Sequence, residues 1–354
     1  MASMKDVAAL AGVSVSTVSR VISGNIPVDQ GTAERVRDAI SSLDFRPNLL
    51  ASGLRSKSGK LIGLVVPGLY EPFASIIGYL EHTTARHGYN LVVGNSRSQE
   101  KLEKQFVDHL IRRHVDGIIF TPISHRTQVM DHLLNTDVPI VWFDRVWDDE
   151  RILTVRLDNQ QAGALAAQHL CQHGHERLAV VTGPDNVDLC HDRLHGFVNT
   201  ARAAGSDVSP QHVHEGDFTF ESGVAVAEQM LEQGLPYSAV WAQNDLMAIG
   251  LMKVFLSRGV SVPGDISIVG MDGIPLTQMV YPELTTVAQP LEQMCEDLFS
   301  KIVASENLVD ERDKHRVFQP TLVERQSVRS HLTDERQQAG VDEYRRIPYG
   351  TTTG

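Results

Sequence analysis

Three cysteines stand in 354 residues, Cys171, Cys190 and Cys295, and their spacing fits neither a disulfide framework nor paired CxxC metal ligands. They read as small buried hydrophobes. No run approaches the roughly 18 uncharged residues of a membrane span, and Met1–Leu10 lacks the basic-then-apolar pattern of a signal peptide. Both absences point to a cytosolic protein. Also missing are the short motifs by which α/β enzymes hold reactants: a GxxxxGK[ST] phosphate loop, a GxGxxG turn after a strand, a GxSxG elbow and an HExxH helix. No enzyme is expected, and no cofactor.

What is present is unevenly distributed. A net charge of -12 would argue against a nucleic-acid partner if it were evenly spread. Residues 1–60, however, carry eight Lys/Arg against five acids, a balance of +3, which leaves 24 against 39, or -15, on the remainder. A basic head on an acidic body suits a protein that presents one end to phosphates. The chain is too long for one ordinary domain and allows a small module plus a large core of about 270 residues.

From Lys5 to Leu43 the apolar residues recur at helical spacing, with Gly12, Gly24 and Pro27 as breaks, which predicts three short helices over residues 1–46. A short segment, Asn48–Ser56, and the Ser/Gly/Lys-rich Ser56–Lys60 then form a hinge and linker over 47–60. Beyond residue 60, apolar runs (LIGLVV 61–66, YNLVV 89–93, GIIF 117–120, PIVWF 139–143, LAVVTG 178–183, AVWA 239–242, ISIVGM 266–271) read as buried parallel strands. Helical stretches such as Phe73–His87, Gln99–His114, Asn159–His173 and Phe220–Gln233 sit where crossovers need them. Two successive sets of βαβ units predict an α/β body, 61–330, of two doubly wound lobes with a cleft between them. Residues 331–354 are polar, lack leucine heptads and are expected to be disordered.

The stretch KDVAALAGVSVSTVSRVISG, Lys5–Gly24, suits a helix-turn-helix. Val7, Ala8 and Leu10 can pack inward, Gly12 suits the left-handed turn residue, and Ser14 can cap a second helix that buries Val18, Val21 and Ile22. The opposite face offers Val15, Ser16, Ser19 and Arg20, short near the start and long a turn later, as insertion into the major groove requires. Ser14, Thr17 and Ser23 suit phosphate oxygens. This stretch closely resembles the headpiece of the LacI/GalR repressor family, following its pattern DVAxxAGVSxxTVSRVxxG nearly letter for letter.

The resemblance implies a sequence-specific regulator of double-stranded DNA. It continues through Asp29–Leu43 into LDFRPNLLASGLRS, where the family folds a hinge helix on DNA and wedges a leucine into the minor groove. Leu54 takes that place, beside Arg55, with Asn48 and Ala51 earlier on the same segment. Gly53 departs from the longer polar or basic residue of relatives and disfavours helix by about 1 kcal/mol. A plain linker is the other reading of this segment. Residues 61–330 resemble the family's effector domain, of periplasmic-binding-protein-like fold, through motifs such as VPIVWFDR at 138–145, DRLHGF at 192–197, NDLMAIG at 244–250 and VPGDISIVGMDG at 262–273.

By that comparison and by their place after strand ends, Phe73, Asp144, Arg145, Arg193, Asn244, Asp272 and Gln289 are expected to face the cleft. Asp144 with Arg145 also reads as a plain ion pair, and Asp272 as a loop cap. A sugar is the expected effector, with a phosphorylated sugar or a nucleobase-like ring as alternatives. His169, Cys171, His173 and His175 lie within seven residues, but GHERLAVV matches the family's helix-to-strand turn, so no metal is expected. The resemblance further implies a homodimer on a near-palindromic operator, no tetramer given the missing heptads, and DNA affinity controlled by the effector. Induction and corepression use the same parts.

Overall fold

The computed structural model describes residues 2–23, 27–45, 59–121, 136–144, 152–305 and 314–331. The chain divides into two compact units, residues 1–60 and 61–354. In the first, helix α1 (Met4–Ala11) begins at Ser3, whose hydroxyl accepts from the Asp6 amide while the Asp6 carboxylate accepts from the Ser3 amide at 2.7 Å. This reciprocal pair satisfies donors that a helix start leaves open. Gly12 ends α1 at φ +66, a left-handed conformation that costs glycine nothing, and turns the chain into α2 (Val15–Ser23). Asp29 caps α3 (Gln30–Ser42) through the Thr32 amide.

Val7, Ala8, Ala11, Val18, Val36, Ala39 and Phe45 form the core of this unit. Leu10, expected inside, is 58% exposed. At about 100° per residue the buried arc of α1 runs through Val7, Ala11 and Ala8, and Leu10 falls roughly 60° outside its edge.

The second unit holds two six-stranded sheets. The first comprises β1 (Leu61–Val66), β2 (Asn90–Asn95), β3 (Gly117–Phe120), β4 (Ile140–Phe143), β5 (Leu153–Leu157) and β11 (His315–Phe318), in the order β2-β1-β3-β4-β5-β11, all parallel. The second comprises β6 (Leu178–Thr182), β7 (Val213–Glu215), β8 (Ala239–Ala242), β9 (Ser267–Asp272), β10 (Thr285–Ala288) and β12 (Thr321–Val323). Its order is β7-β6-β8-β9-β10-β12, parallel except for β12. Each sheet reverses direction beside its first strand, the place where doubly wound folds open a crevice at the strand C-termini. Helices α4 (Phe73–Arg86), α5 (Glu100–Arg112) and α10 (Leu291–Ala304) pack in the first lobe. Helices α6 (Asn159–Gln172), α7 (Asp188–Ala203), α8 (Phe220–Glu232) and α9 (Asp245–Ser257) pack in the second.

The chain passes between lobes three times: into α6, into α10, and between β11 and β12. The first and third passages are tied, the Asp158 amide donating to the Phe318 carbonyl at 2.9 Å and the Gln319 amide to the Asp158 carboxylate at 3.3 Å.

One expectation needs correction. The run at 89–93 is not a buried strand: β2 is the edge of its sheet, pairs only with β1, and exposes much of its length. Outside the runs read as strands, β12 returns from the third passage as an antiparallel edge. Among the described residues no helix is long and apolar enough to cross a membrane. The expected disordered tail lies outside the described residues apart from His331, as does most of the hinge and linker at 47–60.

Candidate functional site

In the first unit, Ser14 accepts from the Thr17 amide at 3.1 Å and so caps α2, while its hydroxyl also meets those of Ser16 (2.7 Å) and Thr17 (2.8 Å). The cap fixes where the helix starts, and from there Val18 points into the core while Val15, Ser16 and Arg20 stand exposed and Ser19 is half-exposed. A helix with this much short, uncrowded surface at its start can approach base edges closely. The Ser23 side chain, together with Asn48, Ala51, Leu54 and Arg55, lies outside the described residues.

In the second unit a cavity of about 390 Å³ opens between the lobes, lined from the first by Tyr70, Phe73, Thr121 and Asp144 and from the second by Phe218, Arg193, Asn244, Asp272 and Gln289. Six of the seven expected effector residues line it; Arg145 lies outside the described residues. Aromatic surface comes from both sides. Tyr70 meets Phe73 edge-to-face at 5.7 Å, and Phe218 seats against Gly183, where a Cβ would collide with its ring.

The polar wall is a connected network. Arg193, 3% exposed, donates through Nε to Asn159 (2.8 Å) and through Nη1 to the Gln243 carbonyl (2.7 Å). Asn159 in turn donates to the Asp144 carboxylate at 3.3 Å, which also accepts from the Leu157 amide. The network therefore runs from a strand end of the first lobe to a helix of the second. Asp272 accepts from the Gln289 amide at 2.7 Å and sits at φ +113; Asp144 has φ +55. Non-glycine residues held at positive φ are strained, and such strain concentrates where function fixes the geometry.

Burial pushes the Asp272 carboxyl up to about 7, against the lowering influence of the Arg193 guanidinium and the Gln289 amide. Neighbouring Asp245 is raised too, first by burial and then by Asp272, although the Thr286 hydroxyl and the Gly273 and Ile274 amides all donate to it. Asp245 thereby holds the turn that carries Asp272.

Asn244 lines the cavity, but its oxygen caps α9 through the Met247 amide and its nitrogen donates to the Phe218 carbonyl. Its described bonds position Phe218. Two of the residues that line this cavity, Thr121 and Gln289, each carry a buried oxygen, Oγ1 and Oε1, without a hydrogen-bond partner among the described residues. Burying such an atom unpaired costs about 1–3 kcal/mol, and both residues adjoin the same cavity.

Sequence reasoning missed Tyr70, Thr121 and Phe218. Thr121 follows the end of β3 as Asp144 follows β4, so the strand-end rule that found one applied equally to the other. Phe218 stands in a loop at φ +68 and offered no pattern.

Comparison with known proteins places this geometry among others. The family described as "Bacterial regulatory proteins, lacI family" matches residues 3–48, and "Periplasmic binding proteins and sugar binding domain of LacI family" matches residues 59–323. The HTH-type transcriptional repressor CytR of Escherichia coli (strain K12) is 36% identical over 294 residues, 82% of this chain and 85% of that protein. The HTH-type transcriptional repressor PurR of Photobacterium profundum is 33% identical, covering 93% and 99% of the two chains. Among solved structures, the Lac repressor bound to ONPG in its repressed state superposes with a TM-score of 0.82 at 27% identity, over 92% of this chain and 99% of that one. The transcriptional regulator CelR–cellobiose complex gives 0.69 at 31%, over 92% and 100%.

Proposed function

We propose a function from one premise: the chain belongs to the lacI family of bacterial regulatory proteins. It is a sequence-specific, DNA-binding transcriptional repressor whose operator affinity is controlled by a small molecule bound between two lobes. In our reading residues 1–46 are the DNA reader, 47–60 the hinge and linker, and 61–330 the effector and dimerisation body of a cytoplasmic homodimer without catalytic activity. Val15, Ser16, Ser19 and Arg20 read bases in the major groove, and Ser14, Thr17 and Ser23 position the helix on phosphates. Asn48, Ala51, Leu54 and Arg55 engage the minor groove between the two readers.

The effector we infer is an uncharged, polyhydroxylated ring, a sugar or a nucleoside-like molecule. Phe73, Tyr70 and Phe218 supply flat surface for its ring. Glu71, Asp144 and Asp217 line the cavity against one described guanidinium, Arg193, two of whose nitrogens already serve the protein. Such a wall repels a phosphate, which disfavours a phosphorylated sugar. Asp144 stands on the first lobe's side of the wall, and Arg145, which we also assign to the effector, lies outside the described residues. The observation that carries the reading is one cavity lined from both lobes by Tyr70, Phe73 and Phe218 and by Thr121 and Gln289, residues that each keep a buried oxygen unpartnered among the described residues.

Thermal unfolding of the full chain against sugars, sugar phosphates, nucleobases and nucleosides tests it, because a ligand selective for the folded state raises its stability. A neutral polyol should raise the midpoint, and Gln289→Leu should abolish that rise. Selective stabilisation by a sugar phosphate would refute the inferred chemistry. Operator affinity measured with and without the hit then gives the sign of control, and equal affinities would refute the coupling.

A further inference from the structure

The second lobe contains a second constellation, remote in sequence from the effector-cleft residues. His169 and His173 occupy successive turns at the C-terminal end of α6, and Glu324 follows β12. One ligand atom from each lies within 4.8 Å of the others. His169 is 4% exposed, and its Nε2 is buried with no hydrogen-bond partner. His173 donates through Nδ1 to the His169 carbonyl at 2.8 Å, which turns Nε2 toward the Glu324 carboxylate at 4.0 Å. A backbone carbonyl holding one imidazole nitrogen while the other is presented outward is the arrangement that orients metal-binding histidines.

The residues that tempted a metal reading in the sequence are sorted differently by the fold. Cys171 meets the Ser206 hydroxyl at 3.2 Å, and both nitrogens of His175 are engaged, by Ser238 at 2.8 Å and by the Arg329 carbonyl at 3.2 Å. Neither belongs to the set. Glu324, which no spacing rule could join to α6, takes their place.

We propose that His169, His173 and Glu324 form a zinc site that clamps the segment after β12 onto α6. Two imidazoles and a carboxylate are a common zinc set, with a fourth position left for water. Magnesium and calcium prefer oxygen-only shells and are disfavoured here. A tetrahedral ion with bonds of about 2.0–2.2 Å needs ligand atoms roughly 3.4 Å apart. The side chains of His173 and Glu324, 25% and 64% exposed, have the freedom to close the gap, whereas His169 is held by its packing. An ion bound through Nε2 of His169 would also satisfy the nitrogen that the fold buries unpaired.

The test uses the full chain, stripped with a chelator and titrated with zinc near neutral pH against a chromophoric zinc indicator. Wild type should take up one tight equivalent that excess magnesium or calcium does not displace, with a rise in unfolding temperature. His173→Ala and Glu324→Gln, both at accessible side chains, should each weaken that equivalent about tenfold or more and lose the thermal rise. His82→Ala, on α4, should keep both, which separates the site from weak binding by other histidines. If wild type binds no tight equivalent, or if Glu324→Gln and His173→Ala keep it, the proposal is overturned. Should His173→Ala fail to fold, Glu324→Gln alone decides.

Discussion

Gly196→Ala is a small change with a large expected effect. Where α6 and α7 cross, a Cβ on Gly196 would fall on the Gln160 carbonyl, and one on Gly163 would fall on the Arg193 carbonyl and lie 2.8 Å from the Phe197 amide nitrogen. These neighbours are backbone, so the helices themselves must part by roughly an ångström to restore ordinary contact. Arg193 leaves α7 beside Gly196, and its bonds to Asn159 and Gln243 are 2.8 and 2.7 Å, so such a shift carries both past the limit of about 3.5 Å. Overpacking costs about 1–3 kcal/mol and each lost charged hydrogen bond about 1.5–3, while alanine returns about 1 in helix propensity. The net loss is on the order of 4 kcal/mol, or about 10 °C in unfolding midpoint for a domain of this size. Effector affinity should fall with it. Gly78→Ala on α4, where a Cβ meets nothing within 4 Å, is the control and should be neutral or mildly stabilising. The reasoning fails if Gly196→Ala unfolds within about 2 °C of wild type and binds effector normally.

Asp272→Asn tests the buried carboxyl through pH. The unfolded carboxyl ionises near 3.8 while the folded one resists until about 7, so wild-type stability should decline as pH rises between those values and level off above them. The amide removes that decline, and the stability gap between variant and wild type should widen toward neutrality by on the order of a few kcal/mol; parallel curves would contradict it. In the reader, Arg20→Ala should relax base preference, whereas Thr17→Val should weaken binding to all operators alike. Equal losses by Arg20→Ala on every operator variant would remove its assigned role. Sedimentation of the full chain should give the mass of two chains, and a mass near four would refute the dimer.

The first unit was the most legible part of the sequence, because a helix cap, a turn glycine and an apolar stripe are all local. Ser14 and Gly12 do what their types predict. Leu10 misled because one apolar residue at a plausible spacing does not define the centre of a buried arc. In the body the long apolar runs marked the inner strands β1, β3, β4, β6, β8 and β9, while inner β5 and β10, whose sequences LTVRL and TTVA mix polar with apolar residues, and the short edge strands β7, β11 and β12 did not read as strands. The cleft followed the same division. Residues at strand ends, Asp144 and Asp272, were found by position. Phe218 is placed by Asn244, and the use of Asn244 as cap and anchor emerges only when the loop before α8 meets α9.

The chemistry of the cleft also explains why a ligand there could reach the DNA reader at all. A molecule that bound one lobe alone would have the same affinity for every lobe angle and could shift nothing. Thr121 follows β3 of the first lobe, whereas Gln289 follows β10 of the second, at the second passage. A ligand that engaged both residues would bind best at one separation of the lobes, and its differential affinity would be the free energy available to bias the hinge. Asp144, Asn159 and Arg193 link the lobes beside the first passage, so the same adjustment strains or relaxes that relay. With each satisfied atom worth about 1–3 kcal/mol, two of them supply a coupling of the size that regulatory binding ordinarily shows, about 1–3 kcal/mol, even if half is spent on closing the lobes.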